Sequence, residues 1–116
     1  MATKIIYLEK SKYDREYAHP FNRTVEYNDT IKFIAVDDVF IVSISNKDNF
    51  LKNTDNSAAD DNLEFTLDSA GTAGNPTEEY KITSAADVPY KYYNVCWNGI
   101  YADRPGNSPP RIIIAP

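Results

Sequence analysis

The chain has 116 residues, of which 12 are basic and 17 are acidic, giving a formal net charge of −5. No segment gathers Lys or Arg into a patch that would neutralise a phosphate backbone, which argues against a nucleic-acid partner. No apolar run approaches the roughly 20 residues that a membrane-spanning helix needs, and the first ten residues, MATKIIYLEK, lack the apolar region of a signal peptide. We therefore expect no membrane partner, and a cytoplasmic location unless the chain begins at a mature N-terminus. The single Cys96 excludes an internal disulfide.

The first half of the chain predicts four strands. Residues 4–8 (KIIYL) form a short apolar run, and residues 9–21 predict a loop with at most one helical turn, which His19-Pro20 would end. Residues 24–45 predict three strands separated by Asn28-Asp29 and Asp37-Asp38, both of which suit tight turns. The last of these strands, residues 39–44, is almost wholly apolar and β-branched, which predicts a strand covered on both faces.

The second half predicts shorter strands between polar loops. Residues 46–62 suggest a surface connection pinned at Phe50 and Leu51, and residues 63–67 alternate apolar and polar side chains. Further strands are predicted around Tyr80 to Ile82, at residues 90–97 (YKYYNVCW) and at residues 111–115 (RIIIA). Asn98-Gly99 follows the aromatic strand and is a strong hairpin signal. The chain is thus predicted to be a single all-β domain over residues 1–116, a Greek-key β-sandwich of seven to eight strands.

Two stretches resemble the cupredoxins, the small sandwiches that hold electron-transfer copper. They are residues 24–44 (TVEYNDTIKFIAVDDVFIVSI) and residues 90–97, which resemble strands that precede ligands of the copper in that family. The resemblance places Phe40 and Trp97 where the two His ligands would stand, and Asn94 where the Cys would stand. A blue-copper centre needs a His₂Cys set, and the only histidine of this chain is His19. The resemblance therefore implies a cupredoxin-like sandwich without copper or other cofactor. An immunoglobulin-like strand order is the alternative, because it produces the same count of short strands.

No complete catalytic set stands out in the sequence, and we expect the protein not to be an enzyme. Cys96 and His19 could form a nucleophile and base only if the fold brought them together, and a buried Cys acting as a small apolar residue is far more common. Adjacent acidic pairs such as Asp60-Asp61 point away from each other, unlike the two carboxyl groups of a glycosidase. The acidic segment 55–61 does not match the spacing of an EF-hand calcium loop.

The aromatic strand and its hairpin are the best candidates for a binding site. Within residues 90–97, Tyr90, Tyr92, Asn94 and Cys96 share one face, whereas Lys91, Tyr93, Val95 and Trp97 share the other. We predict a binding patch at one end of the sandwich, because aromatic residues and Arg anchor interfaces. Its members would be Tyr93, Trp97, Tyr101 and Arg104. In the alternative interpretation Trp97 is simply a core residue beneath the proline-rich loop.

The function that follows is a non-enzymatic interaction module that binds a protein partner, or itself, through the aromatic hairpin. Carbohydrate binding is the alternative function. In that case flat aromatic faces would stack on sugar rings, and nearby Asp or Asn side chains would bind hydroxyl groups.

Overall fold

The computed structural model describes residues 2–10, 15–83, 89–103 and 108–115. Within these ranges the backbone forms strands and no helix, and none of the described residues belongs to a helix able to cross a bilayer. The strands are β1 (Thr3–Leu8), β2 (Ala18–His19), β3 (Asn22–Val25), β4 (Thr30–Ala35), β5 (Val39–Ser45), β6 (Leu51–Lys52), β7 (Asn62–Asp68), β8 (Thr77–Ile82), β9 (Tyr90–Tyr92), β10 (Asn94–Trp97), β11 (Ile100–Tyr101) and β12 (Arg111–Ile114). The predicted all-β class is therefore confirmed.

The strands form two layers. The first layer is a five-stranded sheet in the order β2-β1-β4-β8-β6. The second contains a four-stranded sheet, β11-β10-β5-β7, and a three-stranded sheet, β3-β12-β9. Because β9 and β10 are consecutive parts of one extended segment, these two sheets continue into each other.

Hydrogen bonds show on which side of that segment each neighbour lies. Tyr93 N donates to Pro110 O, and Val95 O accepts from Ala102 N, so β12 and β11 lie on the same side. Alternate residues of a strand point their backbone groups to opposite sides, and Asn94 and Cys96 are accordingly paired with β5. The order across the second layer is therefore β7, β5, the β9–β10 segment, then β12 and β3, with β11 beside β10. We call this second layer the hairpin layer.

Two strand pairs are parallel, namely β1 with β4 and β3 with β12. An immunoglobulin sandwich is built from two antiparallel sheets. The strand order of this chain therefore differs from the immunoglobulin-like alternative.

The core lies between the two layers and follows from two-residue alternation. Every second residue of β4, β5 and β7 is buried. The largest fully buried side chains are Ile6, Leu8, Ile31, Phe33, Phe40, Ile44, Phe50, Leu51, Leu67, Ile82, Tyr93 and Ile112. The polar connection at residues 46–62 is anchored as predicted, since Phe50 and Leu51 are 0% and 1% exposed.

The structure corrects the prediction for β5. Phe40, Val42 and Ile44 face the core, but Ile41 on the opposite face is 40% exposed, and Val39 and Ser43 are half-buried. The strand is thus covered on one face only by the described residues. The apolar sequence of β5 led to the prediction of burial on both faces. A β-branched residue on a solvent-exposed face gives the same local pattern as one in the core. In the final strand β12 only Ile112 is buried, although three consecutive residues are isoleucine.

Candidate binding surface

The aromatic strand presents the opposite face from the one predicted to bind. Tyr93 is 2% exposed, and its ring meets that of Phe33 in the other layer, with centroids 5.6 Å apart. Burial raises the pKa of its phenol, and the hydroxyl has no hydrogen-bond partner among the described residues. Tyr93 is therefore a core residue and cannot belong to a surface patch, because its face packs against the first layer.

Trp97 lies on the same inward-facing side but at the end of the strand, where it is half-buried and packs against the core. Its ring is edge-on to Tyr17, with centroids 5.8 Å apart, and Lys10 Nζ lies 5.7 Å from the indole centroid. A side-chain hydrogen bond also joins Trp97 to Asp38. The indole is therefore held on several sides. The sequence left a core position and a surface position as alternatives, and Trp97 is partly buried in the core and partly accessible.

Asp38 is the polar centre of this region. Its carboxylate accepts a hydrogen bond from Val39 N at 2.8 Å and lies 3.2 Å from Lys10 Nζ. The Val39 N–H, then the Trp97 side chain and the Lys10 ammonium, lower the pKa of Asp38 below its ordinary value. The carboxylate therefore stays ionised near neutral pH and fixes both Trp97 and Lys10.

The structure has the hairpin turn that Asn98-Gly99 predicts. Asn98 and Gly99 have φ angles of 51° and 78°, the two positive values that a type I′ turn requires. The turn pairs Trp97 with Ile100 and Cys96 with Tyr101. Tyr101 is 58% exposed, as its assignment to a surface requires. The fourth predicted residue, Arg104, lies outside the described residues.

A row of apolar side chains crosses the outer face of the hairpin layer. Cys96 is paired with Ile41 on β5 and with Tyr101 on β11, so the three side chains lie next to one another. Beside them is a depression of about 390 Å³, lined by Asp38, Val39, Ile41, Cys96, Trp97, Asn98 and Gly99. We call Ile41, Cys96 and Tyr101 on the outer face, together with Trp97 and Ile100 on the other face at the end of the hairpin, the hairpin surface. Ile41 was not among the predicted site residues, because β5 was predicted to be covered on both faces.

The described residues that could form a catalytic pair or a metal site do not lie close together. His19 lies in β2 of the first layer, whereas Cys96 faces outward from the hairpin layer. Across the described ranges, no group of three His, Cys, Asp or Glu side chains is placed to hold a metal ion. The positions that the family resemblance assigns to copper do not fit the metal either, since Phe40 is a fully buried aromatic residue and Trp97 is fixed by Tyr17 and Asp38.

Similarity to known proteins is found among solved structures. No protein-family model matches the chain. No curated protein matches it either. Among solved structures, the chain is similar to a reduced Cu(I) form of a mutant amicyanin at pH 4, with a TM-score of 0.49 and 12% sequence identity. The match covers 96% of this chain and 80% of that one, and amicyanin is a cupredoxin. Copper is a property of amicyanin, and the similarity does not extend it to this chain.

Proposed function

We propose that this protein is a non-enzymatic interaction module that contacts a protein partner through the hairpin surface. The observation that carries the proposal is the contiguous row of Ile41, Cys96 and Tyr101 across three neighbouring strands, with Ile41 and Tyr101 40% and 58% exposed. Isolated exposed apolar residues are normal on a protein surface, but a contiguous group beside a depression is typical of a contact site.

The geometry of the hairpin supports a rigid contact. The turn at Asn98-Gly99 fixes the short strand β11, and Asp38, Tyr17 and Lys10 fix the Trp97 ring. Side chains that are already ordered lose little conformational entropy when a partner binds, which favours affinity. A second copy of the chain is one such partner, and the experiment below separates it from a different protein.

The test compares variants in two assays. Sedimentation of the purified chain measures self-association, and affinity capture followed by identification measures a different partner. We expect Tyr101→Ala and Ile41→Ser to abolish whichever interaction the wild type shows. Tyr7→Ala is the matched control, because Tyr7 is a 44% exposed tyrosine on the first layer. Equal binding by the wild type and both hairpin variants would reject the proposal, as would equal loss in the control.

Carbohydrate binding is the second candidate, favoured by one observation. The depression brings the indole of Trp97 beside Asp38 and Asn98, an aromatic ring with carboxylate and amide groups that can bind hydroxyls. Against this, the Asp38 carboxylate already accepts bonds from Val39, Trp97 and Lys10. A glycan array probed with the wild type and Trp97→Phe decides between the candidates. Retention that depends on Trp97 would support carbohydrate, whereas no retention on any glycan would exclude it.

A further inference from the structure

A second aromatic group lies on the outer face of the hairpin layer, away from the hairpin tip. Tyr90 and Tyr92 are 41% and 43% exposed, and their rings stand nearly perpendicular, with centroids 5.2 Å apart and an interplanar angle of 76°. The guanidinium carbon of Arg111 lies 5.4 Å from the centroid of the Tyr90 ring. Two exposed tyrosines and a half-buried arginine therefore form one cluster.

Strand pairing explains why these residues meet. On β9, Tyr90 and Tyr92 alternate with the inward-facing Lys91, so both rings point outward. On β12, Arg111 is directly opposite Tyr92 and Ile113 is directly opposite Tyr90. Side chains of directly opposed residues lie on the same face of an antiparallel pair. We call these four residues the Arg111 face.

The charge on this face is not neutralised within the described part of the chain. The three ion pairs found there use Lys10, Arg15 and Lys91, and none includes Arg111. Lys10, Lys91 and Arg111 each lie over an aromatic ring, and of these three cations only Arg111 has no carboxylate partner among the described residues. A guanidinium that lies over an aromatic ring keeps its planar fork of N–H donors, which matches a carboxylate in two-bond geometry.

We propose that the Arg111 face docks an acidic segment of a protein partner, with a carboxylate bound by Arg111 and a neighbouring apolar side chain packed on Tyr90 and Tyr92. The partner group is inferred to be a carboxylate because its negative charge is complementary to the guanidinium of Arg111. The perpendicular rings favour protein side chains over a sugar chain or a nucleobase, because they do not form one flat surface for stacking. Tyr and Arg are also typical of the centres of protein interfaces.

The Arg111 face is distinct from the hairpin surface. It is centred on β9 and β12, whereas the hairpin surface is centred on β10 and β11. Binding at one does not require binding at the other, so the proposal stands or fails independently of the function proposed above.

The experiment is an NMR titration of the isotope-labelled full chain with a hexaglutamate peptide, with hexaglutamine as the neutral control. We expect saturable shifts of the Arg111 Nε–H signal and of the Tyr90 and Tyr92 ring signals with hexaglutamate only. Added salt should weaken the binding, because it screens the charge contact. Arg111→Gln should reduce the affinity roughly tenfold, the effect of losing a charge-assisted hydrogen bond. Lys32→Gln is the matched control, since it removes one positive charge from β4 in the other layer.

Three results would overturn the proposal. The first is equal response to hexaglutamate and hexaglutamine, and the second is unchanged affinity in Arg111→Gln. The third is tighter, Arg111-dependent binding of oligogalacturonate than of hexaglutamate, which would assign the face to an acidic polysaccharide instead of a protein. Retained hexaglutamate binding in Tyr101→Ala, together with its loss in Arg111→Gln, would support this proposal whatever the outcome at the hairpin surface.

Discussion

Lys91 Nζ lies 2.5 Å from Asp48 Oδ2, and this ion pair joins β9 to the turn that precedes β6. The same ammonium is 5.9 Å from the centroid of the buried Phe50 ring. The side chain of Lys91 is only 16% exposed, although lysine usually extends into water. The pair therefore explains how a strand face that carries a lysine can pack against the core.

The first prediction concerns this ion pair. Lys91→Met keeps the apolar stem but removes the charge, which leaves Asp48 without its partner. We expect the free energy of unfolding to fall by about 1–3 kcal/mol, the usual cost of losing a hydrogen bond to a partly buried charged group. Urea unfolding measures it. Asp48→Asn and the double variant complete a thermodynamic cycle, and purely additive effects of the two substitutions would show that the pair contributes nothing.

The second prediction uses the buried hydroxyl of Tyr93. Tyr93→Phe removes a polar atom that has no hydrogen-bond partner among the described residues, while keeping the ring against Phe33. We expect stability to stay the same or to rise by up to about 1 kcal/mol, because burial of an unpaired polar group is unfavourable. Tyr93→Ala should instead cost about 3–5 kcal/mol through loss of the ring and the cavity that remains. Substantial destabilisation by Tyr93→Phe would contradict this placement of the hydroxyl.

The faces of the strand 90–97 illustrate what sequence alone can and cannot determine. Alternation correctly predicted the two sets of residues, and Asn98-Gly99 correctly predicted the hairpin. The face that is buried carries Lys91, and its packing against the core involves a partner, Asp48, that lies 43 residues away. No local pattern contains that information, so Tyr93 was placed on the surface and Tyr90 and Tyr92 were left out of the site.

Ile41 illustrates the same limit on β5. Its exposure depends on whether another layer covers the strand, which is a property of the whole topology and not of the segment. The strands β2 and β6 were also missed, because two residues are too few to show a period. By contrast, β4 lies between the two predicted turns as a strand, and its alternate residues Ile31, Phe33 and Ala35 face the core.

The third prediction concerns pH and Asp68. Its carboxylate accepts hydrogen bonds from the backbone N–H groups of Ala70, Thr72 and Ala73 at 2.9, 3.1 and 2.8 Å, and from the Thr72 hydroxyl at 2.7 Å. These bonds, led by that of Ala73, lower the pKa of Asp68 from 3.8 to about 2. They also organise the loop that follows β7.

A carboxyl group whose pKa is lower in the folded state stabilises the fold above the unfolded pKa and loses that contribution as the pH falls. We therefore expect the wild type to be more stable than Asp68→Asn at pH 7. The difference should shrink between the unfolded pKa of about 3.8 and the folded pKa of about 2. Urea unfolding of both proteins at several pH values measures it. A stability difference that does not change over this interval would contradict the assignment of the effect to ionised Asp68.

The fourth prediction concerns Trp97, the only tryptophan in the chain. Its ring packs on Tyr17 on one side and lines the depression on another, so the folded protein should emit at a shorter wavelength than the urea-unfolded protein but remain partly open to acrylamide quenching. Asp38→Ala removes the hydrogen-bond partner of the indole and the ion-pair partner of Lys10. We expect that variant to emit at a longer wavelength and to be quenched more readily, because the ring gains freedom at the surface.

Asp37→Ala is the control for this fluorescence measurement. Asp37 accepts a hydrogen bond from the Lys10 backbone N at 3.1 Å, but among the described contacts it does not hold the indole, so its removal should leave the emission almost unchanged. In the wild type the emission should stay constant through neutral and mildly acidic pH, since hydrogen bonds lower the pKa of Asp38 below its ordinary value. Unchanged fluorescence in Asp38→Ala would mean that core packing alone holds Trp97. The hairpin surface would then keep its shape without the carboxylate.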